Sequence, residues 1–183
     1  MNKKELKKEI EYLKEYYFSN SKLKEIKCML LHDSKYNIYK YILYLRKEEY
    51  YFGRNNVLSH FYQSKKNKLS NITGFEIPRF TCGLGLKIAH YGHLIINGYS
   101  KIGNNALFFG GACIGWNGTD KGVENDLEYQ KIGDNVVFGI NCSIFGKLTL
   151  GNNIIIGSGA IVLNNFCEDN ITLVGVPARK VKK

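Results

Sequence analysis

The sequence predicts an all-β, three-sided parallel β-helix over residues 76–183, preceded by an amino-terminal α-helical segment over residues 1–75. Three observations carry this. Glycine is distributed unevenly: residues 1–75 hold only Gly53 and Gly74, and the remaining residues hold 17. Apolar residues in the second part recur every six positions, and in the first part they recur at helical spacing.

In the first part, Leu6, Ile10, Leu13 and Tyr17 fall on one helical face among lysines and glutamates, and Ile38, Tyr41, Ile42 and Leu45 repeat the pattern before Gly53. Tyr36, Tyr39, Tyr41, Tyr44, Tyr50 and Tyr51 accompany these stripes. Aromatic residues at helical spacing are expected to pack rather than to bind a ligand.

The second part keeps its own register. Ile102, Phe108 and Ile114 are followed by Ile132, Phe138, Ile144, Leu150, Ile156 and Val162, and the gap of 18 between Ile114 and Ile132 is three sixes. Glycine often follows the apolar position (Gly103, Gly133, Gly151), and a small or β-branched residue stands four after it (Ala106, Val136, Ala160). A coil of three short flat strands needs one inward apolar side chain per face and tight corners between faces. Asn104-Asn105, Asp134-Asn135 and Asn152-Asn153 suit those corners, because asparagine and glycine tolerate left-handed backbone. Stacking coils of about 18 residues builds one continuous core that a lone coil could not bury.

The register breaks in three places, and local rules are usually broken where function requires it. Ile77 to Ile88 is eleven residues and Leu94 to Ile102 is eight. Between these breaks lies Ile88-Ala89-His90-Tyr91-Gly92-His93. The third break, from Trp116 to Gln130, reads as an excursion from the coil carrying Asp120, Glu124, Asp126 and Glu128, and it is expected to wall an acceptor site.

His90 is the candidate general base, since an imidazole can take a hydroxyl proton near neutral pH. Glu76, one shortened coil earlier, is the candidate carboxylate that orients it. Tyr91, His93, Asn97 and Trp116 are candidate acceptor contacts. Two histidines three apart could also ligate a metal, but such strand positions tend to point oppositely and no third ligand is evident, so no metal is expected.

Composition narrows the field. Five scattered cysteines without a C-x-x-C pair suit neither a disulfide framework nor a zinc site. No long apolar run or secretory leader is present, and a cytoplasmic location is expected. The net charge of +10 is concentrated in residues 1–75, with 16 Lys/Arg against 8 Asp/Glu, while residues 76–183 hold 10 against 8. That pattern does not suggest nucleic acid; it allows a solvated helix face or a weak association of the basic segment with an acidic membrane surface.

Several motifs together resemble the hexapeptide-repeat acyltransferases of the serine acetyltransferase type, and among them the capsule and polysaccharide O-acetyltransferases. They are Phe75-Glu76-Ile77-Pro78, the stretch from Gly85 to Asn97, Lys131-Ile132-Gly133-Asp134-Asn135-Val136 and the terminal Val174-Gly175-Val176-Pro177-Ala178-Arg179. The amino-terminal stretch Asp33 to Tyr41, with Glu49-Tyr50-Tyr51, is similar to that of the polysaccharide subgroup.

The resemblance implies left-handed winding, a homotrimer with sites between neighbouring β-helices, and direct transfer from acetyl-CoA to a hydroxyl with His90 as base and Glu76 as its partner. It implies that the pantetheine arm runs past Gly139, Ile140, Ser158 and Gly159, with Arg179 and Lys180 meeting the cofactor phosphates. In the serine enzymes an aspartate precedes the histidine, where this chain has Ala89, and a second histidine aligns near Tyr129. These departures turn the expected acceptor toward a sugar or a capsular or surface polysaccharide. Serine acetylation for cysteine biosynthesis is the alternative, and a non-catalytic basic scaffold is the third reading.

Overall fold

The computed structural model describes residues 1–116 and 129–181. Most of the excursion expected between Trp116 and Gln130, including its four acidic residues, therefore lies outside the described residues. The chain divides into two compact units, Met1–Phe75 and Glu76–Lys183.

The first unit is four helices, α1 (Lys3–Phe18), α2 (Lys22–Leu30), α3 (Ser34–Tyr51) and α4 (Asn56–Thr73). Polar residues start each helix. Asn2 and Glu5 form a reciprocal capping box on α1, and Ser21, Asp33 and Asn55 accept amide hydrogens at the starts of the other three. Gly74, in left-handed conformation, ends α4. The α3 stripe is buried throughout, at Ile38, Tyr41, Ile42 and Leu45; of the α1 stripe Leu13 is buried while Leu6, Ile10 and Tyr17 are half-buried, and Phe18, outside the stripe, packs edge-on to Tyr39 at 5.1 Å.

Burial also reaches groups that the periodicity did not mark. The Arg46 guanidinium donates to Glu9 at 3.1 Å and to Glu49 at 2.9 Å, and the Lys66 ammonium stands 2.8 Å from Glu48, all inside the helical unit. Each charge there has an opposite partner, which is what allows it to leave water.

The second unit is a coil with three faces. One face stacks Phe75–Glu76, Leu94–Ile96, Cys113–Gly115, Ser143–Phe145 and Ile161–Val162; a second stacks Lys101–Ile102, Gln130–Ile132 and Leu148–Leu150. The third stacks Lys87–Ile88, Leu107–Phe108, Val137–Phe138, Ile155–Ile156 and Thr172–Val174, and is closed by an antiparallel strand, Arg179–Val181. The remaining pairings of the third face are parallel; Phe108 on Phe138 on Ile156 keeps the six-residue register, and Ile156 then pairs with Leu173, 17 residues on. Every apolar position named in the repeat is buried, and the Phe108 and Phe138 rings stack with centroids 4.1 Å apart. Each such side chain contributes about 1.5–3 kcal/mol by leaving water.

The corner between the second and third faces shows why Asn and Asp recur there. Asn105, Asn135, Asn153 and Asn170 all have φ between 54° and 60°. The residue before each reaches back to the previous coil: Asn104 accepts from Leu84 N–H (2.9 Å), Asp134 from Asn104 N–H (2.6 Å), Asn152 from Asp134 N–H (2.8 Å) and Asp169 from Asn152 N–H (2.7 Å). The Asn152 N–H, and after it the Asn152 side-chain amide, hold the Asp169 carboxyl below its ordinary pKa.

All five cysteines are free thiols. Burial pushes the Cys142 thiol up to about 12 and raises that of Cys113. Both sit in the coil as small packing residues.

Candidate active site

The corner between the third and first faces carries the sequence-predicted residues. The strand Lys87–Ile88 ends, the chain turns through His90-Tyr91-Gly92-His93, and the strand Leu94–Ile96 begins. The coil below turns at Gly110-Gly111, the next at Ile140-Asn141 and the next at Ser158-Gly159. Hydrogen bonds run down this edge: Asn141 N–H donates to Gly110 C=O at 3.1 Å, and Gly159 N–H donates to Ile140 C=O at 2.8 Å. His90, Ile140, Ser158 and Gly159 therefore stand in one column. At about 4.8 Å per coil, it extends about 14 Å from His90 to Gly159.

His90 and His93 are exposed, and Tyr91 is half-buried. The ring of His90 is thus presented to solvent rather than to the coil interior, because the residues that turn this corner lie outside the inward hexad positions. Glu76 is exposed on the first face, in the strand that neighbours Leu94–Ile96. Among the described residues Glu76 and His90 share no hydrogen bond, so the expected orienting contact is not made in this structure.

Gly110 and Gly111 were not singled out from the sequence. Gly110 is buried at φ 128°, and a methyl group there would stand 3.2 Å from Tyr91 O and 3.7 Å from His90 Cβ. Gly111 has φ 67°. Neither of their N–H groups has a protein acceptor among the described residues. The available signal was a glycine doublet at a corner, out of step with the glycines that follow inward apolar residues.

Other predicted residues lie elsewhere. Gly139 is buried, and a Cβ on it would meet Ser158 N at 2.5 Å, so its small size is required by coil stacking whatever it does for a cofactor. Asn97 and Trp116 follow their first-face strands, and Asn97 N–H donates to Ile114 C=O at 2.8 Å. This puts them at the far end of that face, about 10 Å from the His90 corner at 3.3 Å per strand residue. Asn97 is also engaged locally, accepting from Tyr99 N–H at 2.9 Å. Trp116 is exposed at the margin of the described residues.

At the closing strand Lys180 pairs with Glu168, and the Arg179 guanidinium donates to Ala178 C=O at 2.9 Å. Among the described residues no group of three or more His, Cys, Asp or Glu side chains could hold a metal, and no helix is long and apolar enough to cross a membrane.

No family model matches the chain. It is 31% identical over 147 residues to a serine acetyltransferase of Staphylococcus xylosus, spanning 73% of this chain and 66% of that protein. It is 34% identical over 110 residues to one of Bacillus subtilis, spanning 60% and 48%. The chain thus spans from about half to just under two thirds of the length of these curated relatives.

The crystal structure of Neisseria gonorrhoeae serine acetyltransferase superimposes with a TM-score of 0.66 at 29% identity, covering 97% of this chain and 65% of that chain. The same enzyme in complex with serine gives 0.64 at 27% identity, covering 98% and 70%. These relatives overturn the sugar or capsular polysaccharide acceptor expected from the sequence. That expectation gave most weight to two acceptor-side departures, and one of them carries little. Tyr129 is buried and holds the coil, its N–H on Tyr99 C=O at 2.9 Å and its C=O accepting from Leu148 N–H at 3.2 Å. In sequence and in fold, the chain is similar to hexapeptide-repeat acyltransferases of the serine acetyltransferase type.

Proposed function

We propose that the chain is a serine O-acetyltransferase, which moves the acetyl group of acetyl-CoA to the hydroxyl of L-serine. The observation that carries this reading is the column in which an exposed His90 stands one coil above two unpaired glycine amides and two and three coils above Ile140 and Ser158-Gly159.

The His90 imidazole takes the serine hydroxyl proton as the oxygen attacks the thioester carbonyl carbon. The carbonyl oxygen becomes an oxyanion, to which the N–H groups of Gly110 and Gly111 donate. The tetrahedral intermediate then collapses, the carbon–sulfur bond breaks, and the imidazolium returns its proton to the departing thiolate. O-acetylserine and coenzyme A are the products. Glu76 closes on His90 when substrates bind, because catalytic hydrogen bonds are often loose in a ligand-free enzyme. His93 and Tyr91 contact the acceptor, Ile140, Ser158 and Gly159 pass the pantetheine arm, and Arg179 and Lys180 meet the phosphates.

Left-handed winding and assembly into a trimer complete the reading. Supporting the trimer, Ile95, Phe109, Ile140, Ile155 and Val174 are exposed on and between the two faces that meet at the His90 corner, an apolar surface suited to burial against a neighbouring coil. The test is coenzyme A release from acetyl-CoA with L-serine, with O-acetylserine identified as product and mass measured by sedimentation. Serine-dependent release by a trimer is expected. No release above the rate without acceptor overturns the proposal.

A further inference from the structure

Helix α2 is amphipathic in the wrong sense for a helix of a closed unit. It has no buried residue, and its half-buried side chains are Glu25 and Cys28. Glu25, its one acidic residue, turns toward α1, where Lys14 stands 3.6 Å away. At about 100° per residue, Leu23 and Leu30 then lie on the opposite side, with Ile26 between them and a cavity that it lines with Phe18 and Tyr36. Exposure agrees: Leu23 is 81%, Leu30 68% and the following Leu31 67% exposed. Lys22 and Lys27 stand on either side of these leucines, and Lys24 lies beyond Lys27, its ammonium donating to Ser19 Oγ at 3.3 Å. A surface helix ordinarily turns its aliphatic residues inward and its lysines outward. Here leucines and lysines face solvent together, and contiguous exposed aliphatic residues mark a surface that is covered in use.

We infer that α2 docks on an anionic lipid surface, with Leu23 and Leu30 entering the headgroup–acyl boundary and Lys22 and Lys27 meeting lipid phosphates. Three observations select this occupant. The cationic rim, with its only acid turned inward, complements anionic headgroups. A second copy docked through the same patch would set lysines against lysines, a repulsion that opposes pairing. Protein interfaces favour arginine and aromatic anchors and disfavour lysine, whereas α2 carries three lysines, no arginine and no aromatic ring. Short leucine faces flanked by lysines are the composition of helices that lie in the membrane interface. The inference is independent of the acetyl-transfer chemistry, because α2 carries none of the residues assigned to it.

The test is flotation of the full chain with vesicles of phosphatidylcholine alone and with about 30 mol % phosphatidylglycerol. Binding to the anionic vesicles, little binding to the neutral ones and loss at about 0.5 M salt are expected. The double variants Leu23→Ser/Leu30→Ser and Lys22→Gln/Lys27→Gln should each bind at least about tenfold less, with unchanged helical circular dichroism and thermal melting. Failure of the wild-type chain to float with anionic vesicles overturns the inference, as does equal flotation of either variant. A fall in sedimentation mass on Leu23→Ser/Leu30→Ser would place another copy on the face and overturn it too.

Discussion

Replacing Gly110 with alanine tests whether the coil beneath His90 sets the position of that ring. Gly110 sits at φ 128°, which side-chain-bearing residues rarely adopt, and the added methyl would stand 3.2 Å from Tyr91 O and 3.7 Å from His90 Cβ. A non-glycine residue held in such backbone costs about 2 kcal/mol, and at about 4–8 °C per kcal/mol for a unit of this size the melting temperature should fall by about 8–16 °C. Relieving the 3.2 Å contact moves the His90-Tyr91 backbone by a few tenths of an ångström. Since a misplacement of about 1 Å costs roughly a hundredfold in rate, kcat should fall roughly five- to tenfold with KM little changed.

Gly53→Ala is the control. Its φ is also positive, at 74°, but nothing lies within 4 Å of the position its methyl would take, so it should lose stability without losing turnover. Coenzyme A release, measured well below both melting temperatures, separates the cases. If Gly110→Ala turns over within twofold of wild type, or if Gly53→Ala loses as much activity, the corner beneath His90 does not position it.

Three further outcomes are expected. Gln130 is fully buried, accepts from Ser100 Oγ at 2.6 Å and donates to Gly115 C=O at 2.7 Å and Gly146 C=O at 3.0 Å, so Gln130→Leu strands three polar groups and should cost about 2–4 kcal/mol in urea unfolding. Arg46→Met leaves Glu9 and Glu49 buried without their cation and should destabilise the helical unit by about 3–5 kcal/mol, read from helical circular dichroism on melting. The Asp169 carboxyl is held below its ordinary pKa of 3.8, so its contribution is present above that value and is lost as pH falls through the lower, folded-state value. Melting temperature should therefore decline with acidification below about pH 4, and Asp169→Asn should flatten that part of the profile.

The coil was legible because its physics is local and repeated. Each face buries one side chain every six residues, so Ile102, Phe138 and Val162 announce both the core and the register, and Asn105 and Asn135 announce the corners. The exposed corner at His90 was legible for the opposite reason, as a polar residue where the repeat falters. The contact expected between His90 and Glu76 depends on side-chain placement across two coils, which spacing does not specify, and the two are not bonded in the ligand-free chain. Gly110 was hidden among other glycines, since a glycine required by a neighbour's approach looks the same as one required by a turn.

In the helical part, α1 and α3 showed themselves through inward stripes. Helix α2 has its apolar face turned outward and its inward face made by Glu25 and Cys28, so it offered no core signal. The acceptor was misread because Ala89 and Tyr129 were both weighed as lost serine contacts, while the buried Tyr129 is held by its backbone in the coil.

The most direct measurement is the rate of coenzyme A release with L-serine for the wild-type chain and for His90→Ala. The wild-type chain should acetylate serine, and the variant should be slower by about 10²–10⁴-fold with an unchanged melting temperature, the range expected for losing a general base. A His90→Ala protein that transfers acetyl to serine at the wild-type rate would contradict the account.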